Sequence, residues 1–262
     1  MKTAIPTGPL RVLEHLRQNG HEAFFVGGCV RDPLLGREPK DWDIATDALP
    51  DRIEALFPKT LPIGKAFGII VVVTEEGESV EVATYRVDSP YADGRRPESV
   101  MFSNAREDAL RRDFTVNALF WDPSTGEIRD YVGGCADVEA RRICAIGDPG
   151  VRFAEDHLRM LRAIRFAATL GFTIETATFA AIQRLAPQIR RISAERIRDE
   201  LFRLLTESVR AGAALQLLLD SGLLKEILPE IAAMVGVEQP PEFQPEGDVF
   251  THTVLMLNAM KN

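Results

Sequence analysis

The sequence predicts an α+β fold in two parts: a mixed sheet with helices, then an all-α region, meeting near residue 140. Three observations carry this. Short apolar runs bounded by Gly, Pro, Asn and Asp recur through the first part, as expected of strands. Further along those signals stop, and apolar residues return at helical spacing, as in Leu158, Leu161, Ile164 and Ala168. No internal repeat or low-complexity tract interrupts either part.

In chain order, Leu10, Val12, Leu13 and Leu16 predict a short helix that stops at Asn19-Gly20. Ala23 to Val26 reads as a buried strand, Gly27-Gly28 as a sharp turn, and 30–35 as a helix. A second strand opens with Asp41-Trp42-Asp43, and Pro50-Asp51 starts a helix with Ile53, Leu56 and Phe57 on one side. Residues 66–74 predict a buried strand, 75–78 a tight acidic turn, and 79–84 the returning partner. Glu81 in that partner is either a surface residue of an edge strand or a third carboxylate facing Asp41 and Asp43. Residues 86–104 lack periodicity and read as a long loop around Asp93-Gly94-Arg95-Arg96, either a plain surface turn or an element that engages a nucleotide. The apolar stretches 114–121 and 128–132 follow. Helices are expected from Arg152 to the stop at Gly171, then over 176–186, 193–205 and 210–219. A last apolar helix opens at Thr251 and reads as the stump of a truncated domain.

With 45% hydrophobic and 27% charged residues, the chain has the composition of a folded globular protein and not of a disordered one. No apolar run approaches the ~18 residues of a membrane span, and the first residues do not read as a signal peptide. Cys29, Cys135 and Cys144 are odd in number and lack metal-ligand spacing, which fits a reducing cytosol and a cytoplasmic protein. The net charge of −8 argues against a generally basic nucleic-acid binder. Yet residues 151–210 hold eleven Arg against seven acids, a positive island in an acidic chain. Arginine suits phosphates and base edges, although a charge run is more often a solvated face.

Three constellations carry chemistry. Gly27 and Gly28 let the backbone turn sharply and approach a ligand closely. Asp41 and Asp43, two apart on an expected strand, point to one side while Trp42 points to the other. Paired carboxylates repel unless a cation lies between them, and hard oxygens suit Mg²⁺. A glycine turn for phosphates beside such a pair is equipment for phosphoryl or nucleotidyl transfer. In the second constellation, Asp156, Arg159, Arg162 and Arg165 recur every three residues and form one polar stripe of a helix. The plain reading is a solvated face with an internal ion pair. The sharper one is that Asp156 and Arg159 complement the amino donor and ring-nitrogen acceptor shared by cytosine and adenine, an order that uracil and guanine reverse. The third, Arg111-Arg112-Asp113, is either a helix-terminal salt bridge or a guanidinium and carboxylate that hold a ribose and triphosphate.

Taken together these residues resemble a known family, the class II tRNA nucleotidyltransferases, or CCA-adding enzymes, with the related bacterial poly(A) polymerases. The likeness spans residues 24–172 and rests on G-G-C-V-R-D, D-W-D-I-A-T-D, D-G-R-R-P, R-R-D-F-T-V-N-A-L, G-G-C-A-D-V and E-D-H-L-R-M-L-R-A-I-R-F. Val138 stands where the family usually has Leu, and Gln244 where many members have His. The resemblance implies a polymerase-β-like nucleotidyltransferase head over 1–140, a helical neck over 141–208 that reads the base, and the start of a helical body over 209–262. It implies Mg²⁺ held by Asp41 and Asp43 with Glu81 as a third catalytic carboxylate. Gly27, Gly28 and Arg31 would contact the triphosphate, and Arg112, Asp113 and Asn117 the ribose. Asp156 and Arg159 would read the base, supported by Arg162 and Arg165, while His157 and His252 take no part. The implied substrates are CTP, ATP and the 3′ end of tRNA, joined by two-metal-ion nucleotidyl transfer. A full loop before R-R-D separates the chain from CC-adding relatives. An A-adding enzyme and a poly(A) polymerase are the alternatives within the class. A non-catalytic RNA-binding protein is the alternative outside it, opposed by the intact Asp pair. A histidine-aspartate phosphohydrolase is opposed by the lack of a His-Asp pair after His252.

Overall fold

The computed structural model describes residues 3–88, 100–240 and 247–260. Its two compact units divide between Ala140 and Arg141.

The first unit is a seven-stranded mixed sheet with helices. After α1 (Thr7–Gln18) come β1 (Ala23–Val26), α2 (Gly28–Leu34), β2 (Asp43–Thr46) and α3 (Pro50–Leu56). Then follow β3 (Thr60–Leu61), β4 (Ile69–Val73), β5 (Ser79–Thr84), β6 (Arg86–Asp88) and β7 (Val100–Phe102). The unit closes with α4 (Ala105–Leu110), β8 (Leu119–Trp121), β9 (Ile128–Asp130) and α5 (Gly134–Glu139). The sheet order is β3-β4-β5-β2-β1-β8-β9. Only β2 and β5 pair in parallel; every other pair in it is antiparallel. All four residues of β1 are buried, as an apolar run covered on both faces requires. Val12, Leu13 and Leu16 form the buried stripe of α1.

Three expectations change here. The run at 66–74 is a strand only from Ile69, because a 3₁₀ turn occupies Lys65–Phe67, and β4 buries alternate residues rather than all. β5 lies between β4 and β2, so Glu81 is not on an edge strand. The ends of the aperiodic stretch form a two-stranded ribbon, β6 with β7, whereas Asp93-Gly94-Arg95-Arg96 lies outside the described residues.

Among its described residues the second unit is helical apart from one short parallel pair, β10 (Arg142–Ile143) with β11 (Thr173–Ile174), which the sequence did not signal. Its helices are α6 (Pro149–Glu155), α7 (Leu158–Leu170), α8 (Thr176–Leu185), α9 (Ala194–Glu207), α10 (Ala211–Asp220), α11 (Leu223–Ile227), α12 (Pro229–Ala232) and α13 (Val249–Ala259). Leu161, Ala163, Ile164 and Ala167 bury one side of α7, which packs against α9 and α10. Asp148 caps α6 through Val151 N–H, and Asp248 caps α13 through Thr251 N–H, so the final helix begins at Val249. Among the described residues no helix is long and apolar enough to cross a membrane.

Candidate active site

In the first unit the pairing of β1 with β2 sets Val26 opposite Asp43, so the glycine turn leaves the sheet beside that carboxylate. Gly27 has φ +79° and ψ −130°, a conformation that a side chain would strain, although a Cβ there would meet nothing closer than 3.9 Å. The constraint is the turn rather than space. The next residue but one tethers it: the buried Cys29 Sγ donates to Val26 O at 3.3 Å and to Asp43 O at 3.7 Å. Burial first, then Asp43, pushes the Cys29 thiol up to about 12, so it stays a neutral donor at ordinary pH.

The paired aspartates do not both lie on the strand. β2 starts at Asp43, and Asp41 stands two residues before it, exposed, while Trp42 is 8% exposed and packs on Phe25 and Trp121. Trp42 thus anchors the segment on the far side, as alternation expected. Ile44 of β2 lies opposite Val82 of β5, which sets Asp43 and Glu81 one step earlier on neighbouring strands. The Asp43 carboxyl is pushed up to about 7, by burial first, then by Glu81 and Asp41, with Arg112 opposing. Glu81 is raised as well, by partial desolvation and Asp41 against Arg112 and Arg86. The three carboxylates therefore form one electrostatic group.

Their oxygen chemistry suits a hard divalent cation, and the crowding that raises Asp43 is what a cation would relieve. Among the described residues, however, no three His, Cys, Asp or Glu side chains already converge tightly enough to hold a metal ion. The donor set fits Mg²⁺ in chemistry; the side chains would have to close around it.

Beside the carboxylates runs a polar chain. The buried Arg31 donates to Asn117 Oδ1 at 2.5 Å and to Asp32 Oδ1 at 2.8 Å. Asn117 Nδ2 in turn donates to Asp113 Oδ1 at 3.4 Å, and Asp113 also caps Phe114 N–H at 2.8 Å. Arg112 donates to Asn117 O at 3.3 Å and lies over the Phe120 ring. Gly27, Gly28, Arg31, Asp41, Asp43, Glu81, Arg112, Asp113 and Asn117 are thus gathered at one end of the sheet. The R-R-D motif proves to be a helix-terminal salt bridge and part of this cluster at once. Arg111 and Arg112 both clamp Asp108, at 2.6 and 2.9 Å. Burial alone would raise Asp108, but Arg112 and Arg111 hold its carboxyl below the ordinary range. The sequence reading missed Asp108, whose signal was its place three and four residues before the arginines.

The second unit alters the polar stripe. Asp156 is not in the helix: it stands in extended conformation at the break between α6 and α7, accepting from Leu158 N–H at 3.0 Å. Arg159, Arg162 and Arg165 do share α7, but Arg159 and Arg165 are 9% and 6% exposed, so the plain reading of a solvated face fails. Arg159 pairs with Glu155 and donates to Arg152 O at 3.0 Å. Glu200 of α9 takes Arg165 at 2.6 Å and Arg162 at 3.6 Å, and both arginines lie against the Phe166 ring. Asp156 pairs with Arg196 of α9 at 2.8 Å. Glu155, Arg196 and Glu200 went unread because only packing joins them to the stripe.

Comparison with known proteins agrees with these features. The family model "Poly A polymerase head domain" matches residues 23–144, and the model "Probable RNA and SrmB- binding site of polymerase A" matches 171–235. The chain is 49% identical over 215 residues to the CCA-adding enzyme of Geobacillus sp. (strain WCH70), covering 82% of this chain and 52% of that protein. It is 46% identical over 222 residues to the CCA-adding enzyme of Bacillus pumilus, covering 84% and 55%. A crystal structure of the Bacillus stearothermophilus CCA-adding enzyme in complex with CTP superposes with a TM-score of 0.79 at 41% identity, covering 87% of this chain and 55% of that one. This is the fold of the nucleotidyltransferases that extend RNA ends. The chain belongs to the family of class II tRNA nucleotidyltransferases and bacterial poly(A) polymerases. It spans about half the length of the curated relatives it matches.

Proposed function

We propose that this protein adds CMP and AMP, taken from CTP and ATP, to the 3′ end of tRNA without a template. The observation that carries the reading is the gathering of Asp41, Asp43 and Glu81 beside the Gly27 turn and the Arg31–Asn117–Asp113 chain, in a fold whose relatives are CCA-adding enzymes. The 3′-hydroxyl oxygen attacks the α-phosphorus and gives up its proton to solvent, the α–β phosphoanhydride bond breaks, and pyrophosphate leaves with the anhydride electrons. Asp41 and Asp43, with Glu81, hold Mg²⁺, which when bound lowers the hydroxyl pKa and stabilises the leaving pyrophosphate. Gly27 and Gly28 bring the backbone close to the triphosphate, and Arg31 faces it while Asn117 fixes its guanidinium. Arg112, Asp113 and Asn117 hold the ribose. Asp156 accepts from the exocyclic amino group of the base and Arg159 donates to the ring nitrogen, with Arg162 and Arg165 behind them. In this reading residues 1–140 are the catalytic head, 141–208 the base-reading neck and 209–262 the start of a body that grips tRNA.

The test is incorporation by the purified protein, with Mg²⁺, on tRNA lacking CCA, tRNA ending in CC, and complete tRNA. Each is given CTP, ATP or both. Extension of the first to CCA and no further is the expected result. ATP use on the CC-ending substrate alone would make it an A-adding enzyme, and a long A ladder a poly(A) polymerase. No incorporation on any substrate would sink the reading.

A further inference from the structure

We infer that Arg196 is a positioning residue that sets nucleotide specificity, by holding Asp156 as a correctly turned acceptor. This rests on the proposal that Asp156 and Arg159 read the base. Asp156 stands at a break between helices, where its own backbone gives its side chain no helical register. Two contacts orient it instead. Leu158 N–H donates to Oδ1 at 3.0 Å, and Arg196 reaches over from α9, donating from Nη2 to Oδ2 at 2.8 Å and from Nη1 to Oδ1 at 3.3 Å. The guanidinium thus lies edge-on to the carboxylate in a two-point contact that fixes its plane. Of the about four acceptor positions on an ionised carboxylate, these bonds leave one on Oδ2 for a donor from outside. The side chains of Arg196 and Asp156 are 28% and 15% exposed, so the pair is shielded yet reachable.

The chemistry of discrimination makes this pairing matter. An anionic Asp156 can only accept, and so matches the amino group of cytosine or adenine. A swivelled one would aim its oxygens away from that amino group, and cytosine and adenine would lose their advantage over uracil and guanine. Arg196 opposes that turn with its two-pronged contact. The same helix one turn on supplies Glu200 to Arg162 and Arg165, so one face of α9 backs Asp156, Arg162 and Arg165.

The test uses the full chain and compares wild type with Arg196→Gln, Arg196→Lys and Arg198→Gln. Arg198 lies on the same helix, exposed, and pairs with its neighbour Asp199. Steady-state incorporation is measured with CTP, ATP, UTP and GTP, and thermal unfolding is recorded for each protein. Arg196→Gln should raise KM for CTP and ATP and lower the C-over-U and A-over-G ratios by roughly tenfold, with kcat for CTP little changed. Arg196→Lys should restore part of the ratio, because it keeps the charge but loses the fork, and Arg198→Gln should match wild type. Wild-type ratios in Arg196→Gln would overturn the inference. So would an equal loss for all four nucleotides together with a lowered Tm, the pattern of a merely structural residue. A wild-type protein with no preference for C and A would instead bring down the base-reading assignment, and the inference with it.

Discussion

Asp43 shows how one residue can be costly to the fold and useful to the site. Its carboxyl is raised to about 7 because it is half-buried and faces Glu81 and Asp41, so the ionised form destabilises the metal-free protein near neutrality. Asp43→Asn should therefore raise Tm in EDTA while abolishing nucleotide incorporation. The Tm increase that Mg²⁺ gives the wild type should vanish in the variant, and an unchanged increase would remove Asp43 from the metal site. His157 carries a different pH signature. Burial, then Arg191, lowers its pKa below the ordinary 6.5, so the folded protein keeps it neutral. As pH falls through 6.5 the unfolded chain takes up a proton that the folded one refuses, and stability declines until the folded pKa is passed. Denaturant unfolding at stepped pH should show that decline in wild type and a flatter profile in His157→Gln.

Among elements, the α7–α9 contact depends on a buried ion pair. Arg165 and Glu200 have side chains 7% and 8% exposed and meet at 2.6 Å. Removing the carboxylate strands a buried guanidinium, so Glu200→Ala should cost about 3–5 kcal/mol in urea unfolding. An apolar pair, Arg165→Met with Glu200→Leu, should recover much of that loss. Helices α10 and α13 meet differently. A Cβ on Gly212 would lie 2.0 Å from the Val254 carbonyl oxygen, backbone that cannot swing aside. Gly212→Ala should therefore push α13 off α10 at a cost of about 1–3 kcal/mol, seen as faster amide exchange in α13.

For the whole molecule, the charge distribution bears on the proposed binding of RNA by an acidic protein. The net charge is −8, yet residues 151–210 concentrate eleven arginines, several of them already committed to Glu155, Asp156 and Glu200. An arginine whose side chain stays at the surface, such as Arg190 beside Glu226, is the kind able to meet phosphates. If the second unit grips tRNA as proposed, tRNA affinity should fall steeply between about 50 and 200 mM salt, while affinity for CTP changes less. A tRNA affinity indifferent to salt would count against a phosphate-gripping surface.

The sequence by itself determined the order of the main strands and helices, the glycine turn, the carboxylates and the motif arginines. Each is written in local spacing: period two in β5, helical spacing in α7, Gly27 after an apolar run. The family likeness rested on those same local motifs. Tertiary structure decided the rest. Sheet order put β5 inside, which turned Glu81 from an edge residue into the neighbour of Asp43. The break before α7 took Asp156 out of the helix, and β2 began too late to include Asp41. Arg196 reaches Asp156 across forty residues and Glu200 reaches Arg165 across thirty-five. A buried charge takes whichever partner packing brings to it, and spacing along the chain holds no record of that choice.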